Sequence, residues 1–232
     1  MGAGWELVIF DCDGVLVDSE PIANRVFSAM LGEVGLPMDY DETVRTFVGR
    51  SAATCVRMVE SRIGRPVPEG WVDAWRQRTL DAFSRELRAV ECVAEALDRI
   101  AAPFCVASSG EPAKMRFTLG MTGLLPRFEG RMFSAVEVPR GKPAPDLFLH
   151  AARTLGAAPA RCAVVEDSAV GVQAGAAAGM TVFGYAAMTD ADALRAAGAA
   201  HVFTRMEELP ELLARAGGVS RAGAAPRPAG AP

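Results

Sequence analysis

Four short apolar runs recur along the chain, with segments of helical spacing between them. The runs are Leu7-Val-Ile-Phe10, Phe104 to Ala107, Cys162 to Val165 and Met180 to Phe183. A strand that is apolar at every position is typical of a parallel sheet covered by helices on both faces. The helices predicted after these strands are Glu111 to Leu119, Pro145 to Leu155 and Ala169 to Ala178. The alternation predicts βαβ units and an α/β fold with a doubly wound, mainly parallel Rossmann-like sheet.

A long segment without strand signals interrupts the alternation. Between about residues 21 and 88 the apolar positions follow helical spacing, for example over Ile22 to Val34, Ala52 to Ile63 and Trp71 to Leu87. Because this segment lies between the first two strands, we expect an inserted helical cap over the sheet. The predicted division is a core (residues 1–20 and 89–216), a cap (21–88) and a disordered Gly-, Ala- and Pro-rich tail (217–232).

Composition and charge narrow the classes of function. The chain has 24 Lys and Arg against 28 Asp and Glu and no basic stripe, so we expect no nucleic-acid partner. It has no apolar run of the roughly 20 residues that span a bilayer and no secretory leader pattern, which predicts a cytoplasmic protein with no membrane partner. Its five cysteines are scattered, which argues against a zinc site or a disulfide framework.

Two carboxylates stand directly after the first predicted strand. Asp11 and Asp13 lie in the segment Phe10-Asp-Cys-Asp-Gly-Val15, at the carboxyl end of the strand, where ligands bind to open α/β sheets. Taken alone, an Asp-x-Asp-Gly sequence can simply end a strand and begin a turn. The residues that follow the later strands decide between these interpretations.

Two later segments offer groups that bind anions. Ser108-Ser109-Gly110 precedes a predicted helix, where hydroxyls and free amides can bind an anion or merely cap the helix. Lys142 stands between Gly141 and Pro143, just before the next predicted helix. A lone lysine is normally a solvated surface charge, so only the other segments can indicate whether Lys142 binds an anion.

An acidic pair, Glu166-Asp167, follows the strand that ends at Val165. The pair can serve as another helix cap, but that interpretation leaves an acidic cluster unexplained. The oxygen atoms of Asp11, Asp13 and Asp167 are hard donors, and Mg²⁺ prefers a few carboxylates together with water and a substrate phosphate. The four segments together therefore favour a magnesium-dependent reaction of a phosphate.

In their order along the chain, these segments resemble the sequence motifs of the haloacid dehalogenase superfamily, in its helical-cap phosphatase and phosphomutase branch. The resemblance runs from about Leu7 to Leu213 and includes the helical insertion. The residues that match the motifs are Asp11 and Asp13 for the first, Ser108 for the second, Lys142 for the third, and Glu166 with Asp167 for the fourth. Within the branch, the chain is most similar to sugar-phosphate and phosphogluconate phosphatases.

The resemblance implies an enzyme that removes phosphate from a small phosphorylated metabolite. It implies that Asp11 is the nucleophile, which becomes a transient aspartyl phosphate, and that Asp13 is the general acid and base, with a pKa raised relative to that of Asp11. The groups implied to bind the phosphoryl oxygens are Ser108, Ser109, Gly110 and Lys142. The ligands implied for Mg²⁺ are Asp11, Asp13 and Asp167, with Glu166 as a nearby or alternative ligand.

Substrate selection is expected to depend on the cap. Arg50, in a loop that resembles the family's substrate-facing cap loop, is a candidate contact for a polar or anionic substrate. Lys114 and Glu111 are candidate contacts for the leaving group, although side chains of these types are more often solvated.

Two other functions remain open at this stage, a phosphomutase similar to β-phosphoglucomutase and a non-catalytic phosphate-binding regulatory module. Mutases of the family typically carry a histidine shortly after the first motif, where this chain reads Ser19-Glu-Pro-Ile-Ala-Asn24. The missing histidine favours hydrolysis over mutase activity. The complete set of motif residues argues against a non-catalytic module.

Overall fold

The computed structural model of the chain describes residues 4–48 and 52–218. Within these ranges six strands form one sheet in which all neighbouring strands are parallel. The strands are β1 (Leu7–Phe10), β2 (Phe104–Ser108), β3 (Met132–Ser134), β4 (Cys162–Glu166), β5 (Thr181–Tyr185) and β6 (His201–Phe203). The α-helices are α1 (Glu20–Glu33), α2 (Tyr40–Phe47), α3 (Ala52–Ile63), α4 (Trp71–Glu86), α5 (Val93–Arg99), α6 (Pro112–Met121), α7 (Leu125–Phe128), α8 (Asp146–Thr154), α9 (Ala169–Ala177), α10 (Ala191–Ala197) and α11 (Leu209–Gly218).

The strand order, β3-β2-β1-β4-β5-β6, places β1 at the point where the order reverses. The chain builds outward from β1 through β2 and β3 on one side and through β4, β5 and β6 on the other. In sheets of this kind ligands bind outside the carboxyl ends of the strands, at the point of reversal. The predicted doubly wound α/β fold is confirmed, and two of its strands, β3 and β6, lie outside the four predicted apolar runs.

Each face of the sheet packs in its own apolar layer. Val8 and Phe10 of β1 belong to one cluster, and Leu7 and Ile9 belong to the cluster on the opposite face. All four side chains are at most 1% exposed. Successive strand residues point to opposite faces, so a strand covered on both sides must be apolar throughout. This is the physical reason why β1 was recognisable from the sequence.

The helices α1 to α4 lie between β1 and β2 and include a third apolar cluster of their own. Within it the Trp75 and Phe27 rings are stacked, with their centroids 4.3 Å apart. Phe83, near the end of α4, packs instead in a core cluster. The two segments that join the insert to the core run side by side, since the Asp18 amide donates to the Arg88 carbonyl at 2.9 Å. The insert therefore leaves and re-enters the core at neighbouring points.

Helix α11 includes residues 217 and 218, which the sequence assigned to the tail. The predicted disorder of the remaining tail residues lies outside the described residues. No helix in the described part of the chain has the length and apolar composition needed to cross a membrane.

Candidate active site

The predicted site residues come from the carboxyl ends of three adjacent strands. Asp11 directly follows β1, Ser108 ends β2 and Glu166 ends β4. They border a cavity of about 260 Å³. We call it the phosphate cavity, and its other predicted residues are Asp13, Ser109, Lys142 and Asp167. The fold thus brings together residues that are distant in the sequence.

Lys142 is a buried cation at the centre of the site. Its side chain is 5% exposed. The ammonium donates to Asp11 Oδ1 at 2.5 Å, to Glu166 Oε1 at 2.6 Å and to the Ala107 carbonyl at 3.2 Å. Burial alone lowers the pKa of Lys142, but the charges of Asp11 and Glu166 outweigh burial and raise that pKa above its usual value. Lys142 is therefore charged and fixed in place.

The second carboxylate oxygen of Glu166 is also occupied. Oε2 accepts hydrogen bonds from the Ser168 amide at 3.0 Å and from the Ser168 hydroxyl at 2.9 Å. Because donors engage both oxygens, Glu166 is better suited to hold Lys142 and the start of α9 than to bind a metal ion. This arrangement disfavours the interpretation of Glu166 as an alternative metal ligand.

Gly171, in the first turn of α9, makes room for the Glu166 carboxylate. A Cβ atom at position 171 would overlap that carboxylate. Gly171→Ala is therefore expected to destabilise the protein by about 1–3 kcal/mol, because the carboxylate must move away from Lys142. Gly32→Ala is the matched control, since a Cβ atom there meets nothing within 4 Å and should stabilise α1 by about 0.5–1 kcal/mol. Urea unfolding of both variants tests this, and equal effects at the two glycines would contradict it.

Asp11 and Asp167 are crowded by like charges. Burial raises the pKa of Asp11 to about 7, although the charge of Lys142 partly opposes the shift. Burial, followed by the charges of Glu166 and Asp11, raises the pKa of Asp167 well above its usual range. Two acids with raised pKa values in one cavity indicate negative charge that the protein does not neutralise.

The donor set of the phosphate cavity fits a divalent cation. Among the described residues that line it, five carry carboxylates and one is a lysine. Gly14 adopts a positive φ of 78°, and a Cβ atom there would overlap the Asp167 carboxylate, so Asp167 lies against the backbone next to Asp13. Within the described ranges no three His, Cys, Asp or Glu side chains suffice to hold a metal ion. A cation would thus depend on the Asp11 and Asp167 side chains together with a backbone carbonyl.

The surroundings of Asp13 favour its ionised form, whereas a raised pKa was expected from the sequence. The Lys114 ammonium donates to Asp13 Oδ2 at 2.8 Å, and the Ser19 hydroxyl donates to Oδ1 at 2.7 Å. Burial opposes ionisation, but the Lys114 charge and these hydrogen bonds outweigh it and lower the pKa of Asp13. The prediction that the pKa of Asp13 is raised relative to that of Asp11 is therefore wrong for this structure. The reason is the ion pair with Lys114, which the sequence did not indicate.

The turn after β2 presents the Ser108 hydroxyl to the phosphate cavity. Ser108 Oγ accepts a hydrogen bond from the Gly110 amide at 3.0 Å, which leaves its own proton available to an anion. The Ser134 hydroxyl donates to the Gly110 carbonyl at 2.7 Å and supports the turn from β3. Ser134 lies in a strand that the sequence did not predict, and for that reason its role was missed.

A larger cavity of about 580 Å³ lies between the insert and the core, and we call it the cap cleft. Its walls are mostly apolar, and Glu20 and Ser109 line both cavities. Arg76 of α4 faces Glu111 across the cleft at 3.7 Å. Lys114 also lines the cleft, and its contact with the leaving group stays a prediction. Arg50 lies outside the described residues, so its prediction stays untested.

Comparison with known proteins identifies the chain. A family model described as a haloacid dehalogenase-like hydrolase matches residues 5–179. The chain belongs to this family. The 6-phosphogluconate phosphatase of Escherichia coli K12 is 34% identical over 212 residues, which cover 89% of this chain and 94% of that protein.

Solved structures support the same assignment. A haloacid dehalogenase-like protein of unknown function from Agrobacterium tumefaciens is 37% identical, with a TM-score of 0.85 over 92% of this chain and 99% of that one. A Thermotoga maritima structure assigned to β-phosphoglucomutase is 27% identical, with a TM-score of 0.76 over 90% of this chain and 99% of that one. The recognition from motifs is confirmed, and the chain is a phosphatase of the haloacid dehalogenase-like hydrolases.

This hydrolase contains only two lysines, Lys114 and Lys142, among its 24 cationic side chains. Both lie in the site, and the remaining cations are arginines. An ammonium group is compact and forms different contacts from a planar guanidinium group. The scarcity of lysine is a sequence signal that could have identified the Asp13 partner. Glu20 was also missed, although it lies shortly after the first motif.

Proposed function

We propose that the chain hydrolyses the phosphate ester of a small sugar-like metabolite through an aspartyl phosphate at Asp11. The main support for this proposal is the position of Asp11 at the end of β1, where it pairs with the buried Lys142. Both residues line the phosphate cavity, which adjoins the larger cap cleft. The phosphate cavity suits the phosphoryl group and the cap cleft suits the leaving group. The relative that acts on 6-phosphogluconate makes sugar phosphates the first substrates to test.

The proposed reaction has two steps, formation of the aspartyl phosphate and its hydrolysis. An Asp11 oxygen attacks phosphorus, the bond to the ester oxygen breaks, and the leaving alkoxide takes a proton from the Asp13 carboxyl group. Asp13 then takes a proton from water, whose oxygen attacks the aspartyl phosphate and releases inorganic phosphate and the Asp11 carboxylate. Ser108 and Lys142 stabilise the transferred phosphoryl oxygens. Because Lys114 holds Asp13 ionised here, the first step requires Lys114 to leave Asp13.

We propose Asp11, Asp167 and the Asp13 carbonyl as the groups that hold Mg²⁺. A dianionic phosphate would otherwise meet five carboxylates in one small cavity. When bound, the cation supplies charge neutralisation for the phosphoryl oxygens.

We propose that the cap comprises residues 21–88, the bounds predicted from the sequence.

A phosphomutase is the second candidate, because the Thermotoga structure shares the fold. The residues after the first motif contain no histidine, and both histidines are engaged elsewhere. His201 stacks on Phe183 with centroids 4.8 Å apart, and His150 of α8 lies 3.5 Å from Glu137. Neither lines the phosphate cavity or the cap cleft. With no such group to couple proton transfer to a sugar acceptor, water is the favoured acceptor.

Phosphorus NMR of a panel of sugar phosphates tests the proposal. The panel contains 6-phosphogluconate, sorbitol 6-phosphate and β-glucose 1-phosphate with a bisphosphate primer. With Mg²⁺ we expect inorganic phosphate as the main product. Excess chelator should abolish release without changing the circular dichroism spectrum, because the apolar core does not depend on the cation. Isomerisation that outpaces phosphate release would make the enzyme a mutase, and full turnover in chelator would contradict the metal site.

A further inference from the structure

The Asp13 carboxylate lines the phosphate cavity, and one side chain donates to each of its two oxygens. Ser19, which engages Oδ1, is 2% exposed and immediately precedes α1. Lys114, which engages Oδ2, lies on the wall of the cap cleft and has a long, flexible side chain. A leaving-group oxygen that meets Asp13 at Oδ2 therefore competes with the Lys114 ammonium for that oxygen. Lys114 must then find another acceptor, which a leaving group bound in the cap cleft can supply.

Glu20, the first residue of α1, lines the cap cleft together with Lys114. Its carboxylate accepts a hydrogen bond from the Asn24 amide at 3.2 Å, which orients it, and it lines both cavities. The cleft wall also carries the ion pair of Arg76 and Glu111. The rest of the wall is largely apolar, with side chains that include Val72, Trp75, Leu80, Phe83 and Phe117. Glu20 thus lies at the boundary of the two cavities, and Lys114 reaches Asp13 from the cap cleft.

A carboxylate only accepts hydrogen bonds and an ammonium group only donates them, whereas a hydroxyl does both. A hydroxyl between the two would satisfy both charged groups at once. We propose that Glu20 and Lys114 form a subsite for the hydroxyl on the carbon next to the phosphate ester, so that the enzyme selects phosphate monoesters of vicinal polyols. This inference rests on the proposed phosphatase function.

The presence of a lysine at position 114 in an arginine-rich chain supports the subsite. Arginine occupies every cationic position of the chain except 114 and 142. Lys114 Nζ also lies 5.9 Å from the centroid of the Phe83 ring, within the cleft wall. A compact ammonium group can turn from Asp13 to a neighbouring hydroxyl in a space where a guanidinium fork is bulky.

The test compares kcat/KM for sorbitol 6-phosphate and for its 5-deoxy analogue, which lacks only the hydroxyl next to the phosphorylated carbon. Wild-type enzyme should prefer the hydroxylated substrate by about 10- to 100-fold, because the analogue offers neither charged group a hydrogen bond in the closed site. Glu20→Gln and Lys114→Met should each reduce this preference by about tenfold, mainly through KM of the hydroxylated substrate. Taking the ratio within each variant cancels general losses of activity.

Arg76→Met is the matched control, because Arg76 lines the same cleft but pairs with an exposed residue. It should keep the wild-type preference. A wild-type ratio within about twofold of unity, or an unchanged ratio in both subsite variants, overturns the subsite. If Lys114→Met does not fold, Glu20→Gln decides alone.

Release of phosphate from p-nitrophenyl phosphate distinguishes a failure of the subsite from a failure of the proposed phosphatase function. If release from this hydroxyl-free ester depends on Asp11 but the wild-type enzyme shows no preference between the two sorbitol esters, only the subsite is overturned. No Asp11-dependent release from any of the three esters overturns the proposed function and the subsite with it.

Discussion

Asp11→Asn is expected to lower phosphate release by roughly 10⁴-fold or more, because an amide of the same shape cannot attack phosphorus. Steady-state release from the best substrate of the panel measures the effect. The fold should persist, since Asp11 is held by Lys142 and that lysine keeps its Glu166 partner. The control is Asp18→Asn, an exposed carboxylate of the same segment that lines neither cavity. It should keep activity within about twofold, as surface changes usually do.

The pKa of Asp11 also predicts how the stability of Asp11→Asn relative to wild type depends on pH. Burial raises the pKa of Asp11 from 3.8 to about 7. Between these values the folded state binds a proton that the unfolded state does not, so stability falls as pH rises through this window. The cost is on the order of 1.4 kcal/mol for each pH unit that separates the folded and unfolded pKa values, and it is fully present above the folded pKa. In metal-free buffer, Asp11→Asn should therefore be as stable as wild type or more stable at about pH 8.

The advantage of Asp11→Asn should shrink as the pH falls toward 3.8, because Asp11 of the folded wild type is then protonated and the unfolded chain is becoming so. Urea unfolding at the two pH values measures the difference. A variant that is clearly less stable than wild type at the higher pH would contradict the assignment of Asp11 as a buried, crowded acid.

Lys142→Met is expected to have the largest effect on stability, a loss of about 3–5 kcal/mol, because it leaves charged partners buried without compensation. Activity should fall by about 10²- to 10³-fold from the loss of a group that stabilises the transferred phosphoryl oxygens. Thermal or urea unfolding and kinetics on the same preparation measure both effects.

The double variant Lys142→Met with Glu166→Gln separates the two roles of Lys142. Neutralising Glu166 removes one of the uncompensated carboxylates, so part of the lost stability should return while activity stays low. Recovery of activity in the double variant would show that Lys142 acts only by balancing Glu166.

The sequence was sufficient for the centre of the sheet and for the main site residues. β1 and β4 are buried on both faces, so their apolar runs stand out, and the polar residues after them were expected at one edge of the sheet. β3 has only three residues, too few for a recognisable period. Helix α5, with seven residues, is likewise too short for a clear apolar stripe.

Tertiary contacts explain what the sequence could not predict. The pair between Lys114 and Asp13 joins residues 101 positions apart, and nothing in local spacing indicates that they meet. That pair reverses the expected order of the Asp11 and Asp13 pKa values. The role of Glu166 also depends on which donors reach it, since Lys142 and Ser168 occupy both of its oxygens.

The most direct test of the account is to trap the phosphorylated enzyme. Wild-type enzyme is mixed with substrate and Mg²⁺, quenched in acid during turnover and reduced with borohydride, which converts an aspartyl phosphate to homoserine. Tandem mass spectrometry then locates the modified residue. We expect homoserine at position 11 in the wild type and none in Asp11→Asn. Continued phosphate release with no modification at position 11, or with modification at another carboxylate, would contradict Asp11 as the nucleophile.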